Sequence, residues 1–187
     1  GQVTHYVSMF SDITALKRQQ ANLGYLAYHD PLTGLPNRLM LVDRLEHALR
    51  SHIRNKMQLA VLFIDLDGFK AINDTRGHAI GDQFLQVTAK RFQSLLRSGG
   101  TVARLGGDEF VVLINEYTAH DEEALIKRIK HETTKDISYK GQSIPITISV
   151  GSACYPDDGR NISALMEVAD KRMYQEKLNP QGTQATP

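Results

Sequence analysis

Acidic residues stand where apolar runs stop. Leu59-Ala60-Val61-Leu62-Phe63-Ile64 is a continuous apolar run that reads as a buried central strand, and it ends abruptly in Asp65-Leu66-Asp67-Gly68. Thr101-Val102-Ala103-Arg104-Leu105 and Phe110-Val111-Val112-Leu113-Ile114 are strand-like runs flanking Gly106-Gly107-Asp108-Glu109. Two glycines between strands predict a tight hairpin, because only Gly enters positive φ without penalty. Lacking side chains, they also let a ligand lie against the backbone. If the two strand ends are neighbours, Asp65, Asp108 and Glu109 converge at one sheet edge. Clustered carboxylates repel unless a cation sits between them, and oxygen donors suit Mg²⁺ or Mn²⁺. Phosphoryl or nucleotidyl transfer without a Walker-type lysine loop is the chemistry such a site supports. Taken singly, Asp65 also reads as a helix cap, and Asp108-Glu109 as acids that solubilise a turn.

Asn73, His78 and Asp82 follow Asp65 on a short helical segment where they can face one pocket. Asn and Asp can read a guanine edge, the carboxylate accepting from the ring N–H and amino group. Their ordinary role is turn chemistry around Gly77 and Gly81.

The elements that must position these groups are legible in outline. Ile13 to about Tyr28 forms one helix with a partial apolar stripe (Leu16, Leu23, Tyr25, Leu26), with Asp12 as a possible N-cap. Pro31, Gly34 and Pro36 break it, and a second helix carries Leu39, Leu41, Val42, Leu45 and Leu49. Phe84, Leu85, Val87, Phe92, Leu95 and Leu96 mark another helix, and Asp121 to His131 a charged one. A strand pair is expected around Gly141-Gln142, with Ile144, Ile146, Ile148 and Val150 alternating, and a last helix from about Ser163 to Lys177. Intermixed strands and helices with hairpins predict an α+β fold, a βαββαβ core whose sheet carries helices on one face.

The 187 residues are 41% hydrophobic and 23% charged, the balance of a globular domain with a real core. A formal net charge of +1 supplies no bulk field toward a nucleic-acid polymer or a membrane. Cys154, the single cysteine, cannot form an internal disulfide, which predicts a reducing, cytoplasmic setting. With Gly1 rather than Met at its start, the chain is expected to be a fragment of a longer protein.

Arg104-Leu105-Gly106-Gly107-Asp108-Glu109-Phe110 contains the GGDEF signature of diguanylate cyclases, and the chain resembles that family from about residue 28 to 178. Further blocks stand in the family's order: Asp30 to Arg38, Asp65 to Asp74, Gly77 to Asp82, Ile148 to Gly151, and Ala169 to Lys177. The resemblance implies a palm-like, nucleotidyl cyclase-like sheet with helices packed around it. The implied function is condensation of two GTP into cyclic di-GMP, one GTP per subunit across a two-fold homodimer. It implies Asp65, the Leu66 carbonyl, Asp108 and Glu109 as ligands for Mg²⁺ (or Mn²⁺), Asp108 as the group assisting 3′-hydroxyl deprotonation, and Lys70 at the phosphates. Asn73, His78 and Asp82, with Gly106 and Gly107, match nucleotide-binding positions, and Lys177 matches a basic residue at the terminal phosphates. The alternative is a catalytically weak GTP-binding module regulating a neighbouring domain, such as a downstream phosphodiesterase.

Two departures carry expectations. The family's inhibitory Arg-x-x-Asp site reads Arg97-Ser98-Gly99-Gly100 here, so the arginine stands without its aspartate and product inhibition should be weak. The stretch Lys177-Leu178-Asn179-Pro180-Gln181 replaces the usual Lys and later Gly-Arg-Asn, removing a phosphate-contacting arginine. Residues 1–12 resemble the last strand of a PAS sensor domain, which makes 13–28 a linker helix, 29–178 the cyclase domain and 179–187 a flexible tail.

Overall fold

The computed structural model describes residues 11–96, 100–115, 119–135, 137–139, 142–144 and 146–179. The expected strand before Ser11, Arg97 of the inhibitory stretch and most of the expected tail lie outside them. The helices are α1 (Thr14–Tyr28), α2 (Arg38–Asn55), α3 (Phe69–Arg76), α4 (His78–Leu95), α5 (Ala119–Thr134) and α6 (Ile162–Leu178). The strands are β1 (Leu59–Leu66), β2 (Thr101–Gly106), β3 (Glu109–Ile114), β4 (Ile137–Tyr139), β5 (Gln142–Ile144) and β6 (Ile148–Tyr155).

Four strands form an antiparallel sheet in the order β2-β3-β1-β6. All eight residues of β1 are buried because neither of its faces meets water. Leu62, Ile64 and Leu66 pack with Phe84, Phe92 and Ile129 from α4 and α5. Val61 and Phe63 pack on the opposite side with Leu41 and Leu45 of α2 and Leu165, Ala169 and Met173 of α6. Each fully buried Phe or Leu contributes roughly 1.5–3 kcal/mol. The expectation of helices on one face is therefore corrected: an unbroken apolar run has no polar alternate to present to solvent, so both faces need cover. The α+β class and the antiparallel palm-like sheet stand.

A second correction concerns residues 142–150. They are not one alternating strand: β5 pairs with β4 in a separate two-stranded sheet, and β6 joins the main sheet beside β1. The Ile146–Thr147 step between them is non-strand, and Thr147 instead serves the end of β1 through its carbonyl and hydroxyl.

Helix α1 starts where Asp12 accepts from the Thr14 N–H at 2.9 Å, and it leaves Ile13, Leu16, Leu23 and Leu26 exposed. Asn37 caps α2, accepting from the Met40 N–H at 3.1 Å while its amide donates to the Ala27 carbonyl at 2.9 Å. One residue thus starts α2 and holds the end of α1.

Helix α6 lies against β6 with almost no clearance at Gly151. A Cβ there would stand 2.0 Å from the Ala169 carbonyl oxygen and 2.1 Å from the Met173 nitrogen, both backbone atoms that cannot swing aside. Gly151→Ala should cost at least about 2–3 kcal/mol by overpacking, read as a lowered midpoint in chemical denaturation. An unchanged midpoint would show that α6 does not seat on the β6 backbone.

Candidate active site at the end of the sheet

Alternation along β1 sends Asp65 to the same face as Val61 and Phe63, beneath α2 and α6. Its register partners are Glu109 on β3 and Ser149 on β6. The Leu66 N–H donates to the Asp108 carbonyl at 3.3 Å, so the β2–β3 turn is tied to the end of β1. All three predicted acids are thereby brought to one end of the sheet. Gly106 (φ 147°) and Gly107 (φ 52°) make the turn, and a Cβ on either would meet nothing within 4 Å. The space above the turn is open.

The acids feel one another. Burial first, then the charge of Asp65, pushes the Asp108 carboxyl above its ordinary range, against the pull of Lys177 and Arg104. Burial also raises Glu109; Arg38 pulls it back, while Asp108, Asp65 and Asp170 add to the rise. Lys177 donates to Asp65 at 2.6 Å, and that bond lifts the lysine above its usual value. Asp65 is itself 7% exposed, so its counter-charge comes from the tail of α6. The lysine predicted to meet phosphate thus stands on a predicted metal ligand.

Among the described residues, no three Asp, Glu, His or Cys side chains stand close enough to hold an ion alone. That is no misfit for Mg²⁺, which is commonly held by one or two carboxylates together with waters and substrate phosphates. Hard oxygen donors that repel one another at an open sheet end fit such an ion.

Four of the predicted nucleotide and phosphate residues, Lys70, Asn73, His78 and Asp82, belong to the other side. Helices α3 and α4 cover the Leu62–Ile64–Leu66 face, so Lys70, Asn73, His78 and Asp82 approach the acids only around the sheet's end. Asn73 lies against the second helix: a Cβ on Gly81 would be 2.0 Å from its Oδ1. Asp82 is the next residue. Lys70, His78 and Asp82 are exposed, and among the described residues no hydrogen bond or ion pair joins them to the carboxylates. A separate hollow of about 340 Å³, lined by Asp43, Arg44, His47 and Thr101, lies at the opposite end of β2 and contains none of these groups.

Sequence reasoning missed two supports. Asp67 accepts from the Ser149 hydroxyl at 2.7 Å and the Thr147 hydroxyl at 2.9 Å, and its N–H donates to the Thr147 carbonyl at 3.0 Å, closing β1 onto β6 beside Asp65. Arg104 is 9% exposed and donates to Asp30 at 2.9 and 3.1 Å and to the Gly107 carbonyl at 2.8 and 3.1 Å. Burial raises the Asp30 carboxyl, but bonds from Thr33 and Arg104 outweigh it and hold the group below its ordinary range. An arginine within a strand, next to a glycine pair, was the available signal; its partner 74 positions away was not.

Residues 27–183 match the family described as "Diguanylate cyclase, GGDEF domain". The chain belongs to that family. The bifunctional diguanylate cyclase/cyclic di-GMP phosphodiesterase MucR of Pseudomonas aeruginosa is 44% identical over 164 residues, which are 88% of this chain and 24% of MucR. This GGDEF chain therefore spans about a quarter of that relative's length. A solved GGDEF domain of TpbB from P. aeruginosa superposes with a TM-score of 0.78 at 41% identity, covering 80% of this chain and 88% of that one. The coiled coil and GGDEF domain of DgcB from Caulobacter crescentus, solved in complex with c-di-GMP, gives 0.79 at 26% identity, covering 89% of each. No described helix of this GGDEF chain is long and apolar enough to cross a membrane.

Arg104→Ala should destabilise the domain by about 3 kcal/mol, since it leaves a mostly buried carboxylate without its cation. Arg104→Lys should recover less than half of that in denaturant titrations, because one ammonium cannot fork to both Asp30 oxygens and reach Gly107. Asp108→Asn should behave oppositely. A carboxyl whose folded pKa is raised is destabilising when ionised, above that pKa, and the penalty disappears as pH falls through it. The variant should thus melt no lower than the parent at pH 7, with any gain shrinking toward pH 4; a lower midpoint at pH 7 would contradict the raised Asp108 carboxyl.

Proposed function

We propose that this GGDEF domain is an active diguanylate cyclase: two subunits, each holding one GTP, condense them into cyclic di-GMP and two pyrophosphates. The observation that carries the proposal is the placement of Asp65, Asp108 and Glu109 at one sheet end beside an open Gly106-Gly107 turn, with Asp108 and Glu109 made more basic by burial. Asp65, Asp108, Glu109 and the Leu66 carbonyl would hold Mg²⁺ or Mn²⁺. Such an ion supplies charge neutralisation at the triphosphate.

The chain's own groups do the rest. The Asp108 carboxylate, raised above its usual range, receives the ribose 3′-hydroxyl proton. The freed oxygen bonds to the partner nucleotide's α-phosphorus, and the bond from that phosphorus to pyrophosphate breaks. Lys70, and Lys177 once it exchanges Asp65 for phosphate, meet the developing charge. Asn73 and Asp82 hold the guanine edge, with His78 and the glycine turn completing the nucleotide site.

Each subunit activates its own hydroxyl against the other's phosphate, so two-fold symmetry is required. The exposed Leu16, Leu23 and Leu26 on α1, with Ile13 just before it, support this as an apolar stripe suited to a second copy of the helix. The same stripe suits α1 as a linker helix that leads into a cyclase domain at 29–178. The second reading, a weak GTP-binding module, is favoured by one contact: Lys177 already neutralises Asp65 and competes with a cation for it.

Incubation with GTP and Mg²⁺ at dimer-forming concentration separates the readings: cyclic di-GMP supports the cyclase, nucleotide binding without product supports the module. Asp108→Asn should lower turnover by about 100-fold or more, the scale set by positioned proton transfer. Asn73→Ala with Asp82→Ala should instead relax preference for GTP over ATP by on the order of 10-fold or more, from loss of buried hydrogen bonds. Unchanged discrimination would dispose of those two residues as base readers.

A further inference from the structure

The last turn of α6 bears Lys177 yet has little apolar anchorage. Met173 is its last buried side chain, and Tyr174 and Leu178 are 58% and 63% exposed. An acid near a helix C-terminus also opposes the helix dipole, so Glu176 is misplaced on local grounds. Its tertiary contacts account for it. Strand β6 is the sheet's edge, and the Val150 N–H, turned away from β1, donates to Glu176 Oε2 at 2.6 Å. The other carboxylate oxygen receives the ammonium of Lys130 from α5.

Adjacent residues on a helix diverge by about 100°. Glu176 therefore reaches the outer edge of β6 while Lys177 reaches across to Asp65 on β1, and the two attachments straddle one strand. In the nucleotide-binding reading Lys177 exchanges Asp65 for a triphosphate. During that exchange the Lys177 attachment is lost, and among the described residues the Glu176 bond to the Val150 amide still ties the turn to the sheet.

We infer that Glu176 is a positioning residue: its clamp on the Val150 amide and Lys130 holds the α6 terminus so that Lys177 can pass between Asp65 and nucleotide phosphate. The inference rests on the nucleotide-binding reading above and adds a group outside the acidic cluster. Held in place, the lysine pays no ordering entropy of the helix end when ligand arrives.

The test is a binding cycle using a non-hydrolysable GTP analogue with Mg²⁺. Glu176→Ala should weaken analogue binding by about 5- to 10-fold, the scale of one net hydrogen bond. It should also speed hydrogen exchange at the Val150 amide. Glu176→Gln, which keeps an oxygen acceptor for that amide, should recover part of the affinity and serves if the alanine variant folds poorly. In a Lys177→Ala background the Glu176→Ala change should add nothing, since its effect runs through Lys177. Unchanged affinity in Glu176→Ala, or equal losses with and without Lys177, would overturn the positioning role while leaving nucleotide binding intact. If the unaltered chain binds no analogue, the nucleotide reading falls and this inference falls with it.

Discussion

Antiparallel pairing sets Asp65 of β1 opposite Glu109 of β3 and Ile64 opposite Phe110. Side chains alternate with a period of two, so a one-residue slip would drive Asp65 into the core of Phe84 and Phe92 and pull Ile64 out of it. The apolar partners on both faces of β1 forbid that slip. The core thus enforces the register, and the register delivers the carboxylates to the sheet's end. Asp67 completes the arrangement by fastening the strand end to Thr147 and Ser149.

Gathering acids in this way is electrostatically unfavourable, and the fold answers with cations from separate elements. Lys177 comes from α6, Arg38 from α2, and Arg104 from β2 itself. These charges hold the cluster together without filling the space above Gly106 and Gly107. A site that repels itself but remains open is poised for a ligand that brings positive charge and phosphate together.

The turn is also joined to α1. Arg104 grips Asp30 and the Gly107 carbonyl, its N–H donates to the Pro36 carbonyl at 2.9 Å, and Asn37 bonds the Ala27 and Tyr28 carbonyls at the end of α1. Tyr25 stacks on His29 with ring centroids 3.9 Å apart. The end of α1 and the Gly106-Gly107 turn are therefore held by one loop, residues 29–37.

Local chemistry made part of this readable beforehand. The unbroken apolar run from Leu59 to Ile64, the glycine pair and the prolines at 31 and 36 each dictate backbone shape through their own sterics, so strand, hairpin and helix break were legible. That Asp65, Asp108 and Glu109 could share one sheet end was legible too, since each stands where an apolar strand run stops. What linear order does not carry is distance between remote side chains. Lys177 on Asp65, Arg104 on Asp30 and Glu176 on the Val150 amide join residues 112, 74 and 26 positions apart. Residue types and local spacing determined the elements and the candidate chemistry of this protein. Only tertiary packing decided that both sheet faces are covered, that Asp65 lies on the face opposite α3 and α4, and which cation neutralises which acid, because those outcomes depend on burial and charge in three dimensions.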